Sequence, residues 1–324
     1  MKCRLCGCED NFDSLKVKEL EMGFRDEFTY LFCKSCGTLQ IESIPTNLSK
    51  YYPSDYYSFK SVTKKSFIKE KLKKARDLYG LYSNKLNFLG HFLSILFPLD
   101  TQILSMRRII RSLNAYSKIL DVGCGEGAFL KRLANIGFKN LEGVDPFIKH
   151  TKTLEYRIKL HKQSIMDLDK KSEYDLIMFH HSFEHLVENP FEVLKKVNIM
   201  LKKKGFCLIR MPTTSSFAWE KYGKHWVGIQ APRHIMIYSI RGFEILAEKA
   251  GFKIHSISYD STFFSFVASE QYKKNIALND DNSYFVNPKK SIFTKDEIEQ
   301  YKKLALSLNK KFRGDMICVI LRKN

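Results

Sequence analysis

The chain has 324 residues, and its 54 Lys and Arg against 35 Asp and Glu give a formal net charge of +19. This length allows one large domain and one small one, and no apolar run reaches the roughly 20 residues of a membrane-spanning helix. The charge favours acidic partners such as nucleic acid, anionic lipid or a phosphate-bearing substrate, although a lysine-rich proteome would give the same balance. The first residues do not resemble a signal peptide, so we expect a cytoplasmic protein without disulfides, with contact to the inner membrane face left open.

Two matching Cys-x-x-Cys-Gly segments lie near the N-terminus, at Cys3 and Cys6 and again at Cys33 and Cys36. A turn of this spacing directs two thiolates to one point, and two such turns supply the four soft ligands of a tetrahedral zinc ion. Cys8 is an alternative ligand to Cys6, at poorer spacing. Because four-thiolate sites are usually structural, we predict a zinc ribbon whose Zn²⁺ takes no part in chemistry.

The ribbon is predicted to cover residues 1–45, and residues 46–115 are predicted to form a tyrosine-rich segment and a basic helical linker. Between residues 60 and 77 there are eight Lys or Arg and two acids, a pattern typical of a solvated basic helix. The apolar stretch 86–97 is too short to span a bilayer and is predicted to be a helix packed on the main domain. The alternative is an interfacial helix that contacts lipid with help from the basic linker.

From residue 116 to residue 324 the pattern alternates between strands and helices, which predicts an α/β domain with a parallel sheet. Two late strands are separated by an insertion at about 262–312, which is polar and irregular at first and then helical. The predicted strands cover residues 118–122, 140–144, 158–165, 174–179, 205–210, 252–259 and 315–321, and the predicted helices cover 191–201, 241–250 and 295–308.

The first of these strands ends in the loop Asp-Val-Gly-Cys-Gly-Glu-Gly, which starts at Asp121. Gly123 and Gly125 allow the backbone to approach a ligand closely, and the helix N-terminus beyond them favours a carboxylate. Gly127 follows Gly125 after two residues, where a dinucleotide-binding loop needs three. Asp121 would repel a pyrophosphate but suits a cationic amino group such as that of S-adenosylmethionine (SAM). The loop therefore predicts a SAM site.

Two further acids follow the next two strands. Asp145 lies 24 residues after Asp121, at the position where a carboxylate accepts hydrogen bonds from both ribose hydroxyls. Asp167 follows the third strand and is predicted to accept from the adenine amino group, with a helix N-cap as the alternative role. Acids after three successive strands are much more specific for this cofactor than any one of them alone.

Residues 117–259 resemble class I SAM-dependent methyltransferases, and this resemblance implies a Rossmann-like sheet of seven strands whose last strand is antiparallel. The run 174–186 is similar to the motif that follows the fourth strand in that family, where a Glu-His pair stands as Glu184 and His185 do here. With the ribbon and the tyrosine-rich run 51–57, the chain resembles bacterial methyltransferases of sugar and polysaccharide pathways, including zinc-containing sugar C-methyltransferases. In those enzymes the matching Glu-His pair acts at the acceptor.

His185 is the first candidate for the general base, since a neutral imidazole is suited to proton removal near pH 7. Glu184 is predicted to orient the acceptor or the imidazole. His181 and His234 are the other candidate bases, and His180 is grouped with the cofactor-binding residues. The alternative for the residues after the strand is that they cap the next helix and only pack.

A second cluster follows the fifth strand and contains both tryptophans, Trp219 and Trp226, together with Arg233. Aromatic faces stack on sugar rings, and an arginine holds a phosphate through a bidentate fork. The cluster is therefore a candidate acceptor site, and a hydrophobic lid without acceptor contact is the alternative.

The predicted function is methyl transfer from SAM to a sugar, either nucleotide-linked or within a bacterial surface glycan. The alternative is a ribosomal RNA methyltransferase with an N-terminal zinc motif, which the positive charge suits. Against it, the chain has Glu-His where many base-amine methyltransferases have Asn/Asp-Pro-Pro-aromatic. A third hypothesis, a non-catalytic zinc-ribbon adaptor, conflicts with the intact glycine loop and its three acids.

Overall fold

The computed structural model describes residues 2–52, 67–82 and 87–323. Parts of the tyrosine-rich run (53–57), of the basic linker (60–66) and of the apolar stretch (Leu86) lie outside them. The strands are β1 (Phe12–Lys18), β2 (Glu27–Cys33), β3 (Leu39–Ile41), β4 (Lys118–Val122), β5 (Asn140–Val144), β6 (Lys152–Thr153), β7 (Lys159–His161), β8 (Tyr174–His180), β9 (Leu201–Pro212), β10 (Met236–Ile237), β11 (Phe252–Tyr259) and β12 (Met316–Lys323). The α-helices are α1 (Phe67–Tyr82), α2 (Phe88–Leu96), α3 (Thr101–Met106), α4 (Ala128–Ile136), α5 (Pro190–Met200), α6 (Phe217–Tyr222), α7 (Ile240–Lys249), α8 (Phe264–Lys273) and α9 (Lys295–Lys310).

The large sheet has the strand order β11-β12-β9-β8-β4-β5-β7-β6. Strands β7, β5, β4, β8 and β9 are parallel to one another, whereas β12 is antiparallel to both of its neighbours. The predicted Rossmann-like α/β fold with a reversed last strand is thus confirmed. The two-residue strand β6 adds an eighth, antiparallel edge strand that the sequence analysis did not predict.

The central strands are buried on both faces, which explains their nearly continuous apolar sequences. In β8 the exposed fraction of the Leu176, Ile177, Met178 and Phe179 side chains is 0%. The third predicted strand, in contrast, is shorter than expected. It ends at His161 because the Ser164 hydroxyl accepts a hydrogen bond from the Met166 N–H and starts a 3-10 turn.

The segment between the two late strands contains a helix, α8, that the sequence analysis interpreted as irregular. The helix is buried on nearly all sides and carries Ser and Gln inside the core, so it lacks the amphipathic pattern of a surface helix. Two of its buried polar side chains have hydrogen-bond partners outside the helix: the Ser265 hydroxyl donates to Asp315, and Gln271 donates to the Ser283 hydroxyl at 3.1 Å. Tertiary hydrogen bonds therefore make this helix possible.

The N-terminal region forms its own four-stranded sheet in the order β1-β2-β3-β10, and its last strand comes from the C-terminal half of the chain. The register pairs Met236 with Gln40 and Ile237 with Leu39. The side chain of Tyr30 is fully buried in the core that both sheets share. The ribbon predicted for residues 1–45 is thus packed into the catalytic domain through a common sheet and core.

Helices α1 and α3 pack against one face of the large sheet through Leu81, Ile103 and Met106. Asp77 of α1 and Asp100 at the start of α3 both accept hydrogen bonds from Arg132 of α4, which ties these helices to the helix after the glycine loop. Helix α2 was predicted to pack on the main domain, but in the structure it packs on α1 of the predicted linker through Gly90 and Leu93, and its opposite face is exposed. Within the described part of the chain, no helix has the length and apolarity needed to cross a membrane.

Candidate active site

A cleft of about 980 Å³, its open mouth included, lies at the carboxyl ends of β4, β5 and β8. Ligands of open α/β sheets bind at this edge because the loops after neighbouring strands diverge there. The cleft is lined by Leu48, Tyr52, Val122, Gly123, Val144, Asp145, Pro146, Phe147, Gln163, Ser164, Ile165, His181, Ser182, His185, Leu186, Val187 and Glu188.

The glycine loop borders this cleft through Gly123, whose φ of 77° favours glycine. A Cβ at this position would lie 2.4 Å from the Cβ of Ser182, so no larger residue fits between the two loops. The Ser182 hydroxyl donates to the Val122 carbonyl at 2.6 Å and holds the loops together. Gly125 and Gly127 also have positive φ, and Gly127 faces the side chains of Leu154 and Leu160 rather than the cleft.

Asp121 lies beneath the loop with only 4% of its surface exposed. Its Oδ1 is buried and has no hydrogen-bond partner among the described residues. Burial, and then the charge of Asp145, raise the pKa of this carboxyl to about 8. Asp121 is not among the residues that line the cleft, but a cationic amino group brought to its Oδ1 would satisfy the oxygen and stabilise its charge.

Asp145 joins the glycine loop to the end of β5. Its Oδ2 accepts from the Gly125 N–H at 2.9 Å, and its Oδ1 accepts from the Phe147 N–H at 2.8 Å. Burial raises the pKa of the carboxyl, and these two N–H groups oppose that effect. Asp145 lines the cleft, where its remaining lone pairs can accept from a ribose.

Asp167 is not brought to the cleft. It is exposed on the 3-10 turn after β7, and the residues of that segment that line the cleft are Gln163, Ser164 and Ile165. Ser164, not Asp167, is the N-cap of the turn. Neither role proposed for Asp167 from the sequence is therefore seen, because the short β7 ends before the chain would turn this carboxylate inward.

His180 also lies away from the cleft lining. Its two ring nitrogens are buried without hydrogen-bond partners among the residues that the structure describes, and the ring packs edge-on against Phe129 of α4 at 4.8 Å. Burial lowers the pKa of this imidazole to about 3, so the ring is neutral at pH 7. Because His180 does not line the cleft, it does not make the cofactor contact that was predicted for it.

Three imidazole rings surround the fully buried carboxylate of Glu184. Its Oε1 lies 3.4 Å from Nδ1 of His181 and 3.9 Å from Nε2 of His234, and the ring of His185 lies 4.6 Å from that of His234. Burial alone would raise the pKa of Glu184, but the three rings outweigh it and lower the pKa to about 2. The carboxylate is therefore ionised at the base of the cleft.

Nδ1 of His181 faces the Glu184 carboxylate at 3.4 Å. The Arg210 guanidinium donates to Nε2 of His181 and, through its Nε, to Asp260 at 2.6 Å. Because arginine can only donate, Nε2 of His181 must accept, and the ring proton lies on Nδ1, toward Glu184. Neither nitrogen is then available as a base, which disfavours His181 in that role.

The hydrogen bonding of His185 fixes which of its ring nitrogens carries the proton. Its Nδ1 lies 2.9 Å from the carbonyl oxygen of Arg233, and since a carbonyl only accepts, the ring proton is on Nδ1 and Nε2 carries the lone pair. Burial lowers the pKa of this imidazole below its ordinary value, although Glu184 opposes the effect. His185 lines the cleft and is neutral at pH 7, as a general base must be.

His234 has the same tautomer but less access to the cleft. Its Nδ1 lies 2.8 Å from the Gly228 carbonyl, and only 3% of its surface is exposed. Burial lowers its pKa to about 3. Because His234 is absent from the cleft lining, the structure favours His185 over His234 as the base.

Tyr52 is a site residue that the sequence analysis did not assign. Its ring stacks on Phe147 with centroids 6.0 Å apart, and its hydroxyl lies 3.0 Å from Nδ1 of His185. With Leu48, it covers the cleft from the end of the N-terminal region. The tyrosine-rich run 51–57 is the sequence feature that contains Tyr52. No local pattern in it indicates that this part of the chain lies against the large sheet and lines the cleft.

The cluster after the fifth strand does not form the acceptor site proposed for it. Trp226 is 1% exposed, and its Nε1 donates to Asp315 at 2.9 Å. Trp219 packs between Trp226 and Phe32, out of the cleft. Arg233 is fully buried in an ion pair with Glu21 of the N-terminal region. The segment is instead the interface between the two sheets, so it offers neither a sugar platform nor a free phosphate ligand.

The two Cys-x-x-Cys turns meet as predicted. One sulfur each from Cys3, Cys6, Cys33 and Cys36 lies within 4.8 Å of the others. The Sγ separations of 3.8 Å for Cys3–Cys36 and 3.7 Å for Cys6–Cys33 match the roughly 3.8 Å between thiolates around tetrahedral zinc. Cys8 stays outside this group and accepts a hydrogen bond from the Ser35 hydroxyl.

Solved structures of similar shape include a SAM-dependent methyltransferase of Thermotoga maritima, at 18% identity and a TM-score of 0.41 over 68% of this chain and 89% of that one. One from Archaeoglobus fulgidus shows 19% identity and a TM-score of 0.42 over 72% and 99% of the two chains. The 1,6-didemethyltoxoflavin-N1-methyltransferase of Burkholderia thailandensis shows 10% identity and a TM-score of 0.42 over 82% and 93%. No curated protein matches the chain.

A family model described as "Methyltransferase domain" matches residues 88–257, which is more than half of the sequence. The chain therefore belongs to this methyltransferase family and is a SAM-dependent methyltransferase.

Proposed function

We propose that the enzyme transfers the methyl group of SAM to a sugar, nucleotide-linked or within a bacterial surface glycan, and that His185 removes the acceptor proton. The observation that carries the proposal is the neutral imidazole of His185 in the cleft, with Nδ1 on a backbone carbonyl and Nε2 left to accept a proton. Tyr52 and Glu188, whose side chains can bind hydroxyl groups, line the same cleft. The resemblance to sugar methyltransferases supports the same acceptor class.

The residues proposed to hold the cofactor are Asp121, Gly123 and Asp145. SAM supplies an electrophilic methyl group when it is bound. Asp121 would pair with its amino group through the orphaned Oδ1, Gly123 allows the close approach of backbone and ligand, and Asp145 would accept from the ribose hydroxyls. His185 would then contact the acceptor in the cleft, and the buried Glu184 would orient the imidazole.

Replacing Asp145 with alanine should weaken SAM binding at least about tenfold, or about 1.4 kcal/mol. The change removes the proposed ribose acceptor and also the bonds from Gly125 and Phe147 that shape the site. Isothermal titration of SAM into the purified variant measures the effect. Asp167→Ala is the matched control and should titrate like the wild type, because Asp167 is exposed outside the cleft. An unchanged affinity in Asp145→Ala would contradict the assignment.

We also propose that the four cysteines hold one structural Zn²⁺. The sulfur separations fit a tetrahedral ion, and four thiolates would leave no position for a substrate. In this proposal the metal stabilises the N-terminal sheet, which in turn supplies the strand partner of β10 next to the active site.

The acceptor class is tested by transfer of labelled methyl groups. Purified enzyme, methyl-labelled SAM and host extract are incubated, and the extract is separated into RNA, sugar-nucleotide and polysaccharide fractions. We expect ribonuclease-resistant label in a sugar or polysaccharide fraction. Label that disappears with ribonuclease would replace this proposal with an RNA methyltransferase, for which the charge of +19 would bind the phosphate backbone.

A further inference from the structure

Helix α2 exposes an apolar face to solvent. It packs on α1 through Gly90 and Leu93, which are buried. The opposite side carries only large apolar side chains apart from His91. The exposed fractions are 76% for Phe88, 52% for Leu89, 58% for Phe92, 69% for Ile95 and 55% for Leu96.

These side chains form one patch, in contrast to the single exposed apolar residues found elsewhere. Positions 88, 92, 95 and 96 recur at helical spacing and therefore share one face. Phe97, at 57% exposure, extends the patch beyond the helix end. Contiguous apolar patches of this kind mark interaction sites on proteins, whereas scattered residues such as Leu306 need no explanation.

The neighbouring helix α1 carries exposed positive charge. Lys69, Lys71 and Lys74 are exposed in its first half, next to the exposed side chains of Ile68 and Leu72. Anionic surfaces attract such a combination of basic and apolar groups, because the cations meet lipid phosphates while the apolar side chains enter the interface.

The two helices are joined by specific hydrogen bonds. The Asn87 side chain donates to the Ala75 carbonyl at 2.7 Å, and the Tyr79 hydroxyl lies 2.7 Å from Nδ1 of His91. The apolar face of α2 is therefore presented by a packed pair of helices and not by an isolated segment.

We propose that α1 and α2 dock the enzyme on the surface of an anionic lipid bilayer. With nine residues, α2 is too short to span a membrane and would lie in the interface. A second copy of the chain is a poorer occupant of the patch, because it would bring together two molecules that each carry a net charge of +19. This inference goes beyond the proposed methyl transfer and does not depend on the acceptor.

Sedimentation of the full-length protein with vesicles tests the proposal. We expect binding to phosphatidylcholine vesicles that contain about 30% phosphatidylglycerol, little binding to phosphatidylcholine alone, and weaker binding in high salt. The double change Phe92→Ser and Ile95→Ser should lower the partition coefficient at least about tenfold. The double change Lys69→Glu and Lys74→Glu should remove the preference for anionic vesicles.

Leu306→Ser is the matched control, since Leu306 is 62% exposed on α9 and should leave lipid binding unchanged. Melting temperatures and methyl-transfer activity near the wild-type values confirm that each variant is folded. Failure of the wild type to bind anionic vesicles, or equal binding by the Phe92/Ile95 variant, would overturn the proposal. A lipid-free dimer that this same variant dissociates would also overturn it, by assigning the patch to a second copy.

Discussion

Replacing His185 with alanine should lower methyl-transfer turnover at least about 100-fold while SAM affinity changes less than about threefold. The imidazole of His185 lines the cleft and is the proposed base, and the residues proposed to hold the cofactor lie on other loops. Turnover is measured with methyl-labelled SAM and the fraction that accepts label, and SAM affinity is measured separately by titration. The split between the two readouts distinguishes loss of the base from loss of the site.

His150→Ala is the control for this experiment, because His150 is exposed and is not among the residues that line the cleft. Normal turnover in His185→Ala would move the base to His234. The ligand atoms of Glu184, His185 and His234 also lie within 4.8 Å of one another, as divalent-metal ligands would. Turnover that rises when Mg²⁺ or Mn²⁺ is added would assign these residues to a metal ion and contradict the role of His185 as a free base.

The pH dependence of turnover should follow the lowered pKa of His185. A base acts in its neutral form, and burial shifts its pKa below the ordinary histidine value of about 6.5. At saturating SAM, whose amino group is expected to keep Asp121 ionised, the rate should therefore be constant across pH 7 to 8 and fall only when the pH drops below that ordinary value and protonates the ring.

Replacing Cys36 with serine should remove the zinc and lower the melting temperature by more than about 10 °C. Structural zinc contributes about 10–16 kcal/mol in zinc-finger peptides, so the loss of one of four ligands weakens the whole N-terminal sheet. Metal analysis of protein purified without chelators should give about one zinc per wild-type chain and much less in the variant. Absence of zinc from the wild type would contradict the proposal that the four cysteines hold a structural zinc ion.

The same substitution should also reduce turnover, because the N-terminal region that holds the cysteine turns contacts the segment 213–239. This segment carries Arg233, whose carbonyl oxygen contacts His185. The Ser239 hydroxyl donates to the Cys36 carbonyl, and the Thr214 hydroxyl donates to the Gly37 carbonyl at 2.5 Å. The Tyr30 hydroxyl donates to the His234 carbonyl at 2.8 Å. Cys8→Ser is the matched control and should keep the zinc, the melting temperature and the turnover, since Cys8 lies outside the group of four sulfurs.

The local patterns of the sequence were sufficient for the fold class and for the enzyme class. Burial of β4 and β8 on both faces produces apolar runs that can be recognised without the structure. The glycine loop and the two Cys-x-x-Cys turns are equally local, because the ligand spacing within each is a property of a few consecutive residues. The buried helix α8 escaped prediction, since its Ser and Gln side chains are satisfied only by distant partners.

The tertiary structure, in contrast, distinguishes between candidate site residues that look alike in the sequence. His181 and His185 are four residues apart, but Arg210 holds the first as a donor while the Arg233 carbonyl leaves the second with a free lone pair. Tyr52 reaches His185 across 133 positions of the chain, and the buried ion pair with Glu21 withdraws Arg233 from the acceptor. The sequence by itself thus determined a methyltransferase fold, a glycine loop and a four-cysteine cluster. Burial and hydrogen bonding between distant segments determined the candidate base, because tautomer, pKa and access depend on neighbours that no local pattern records.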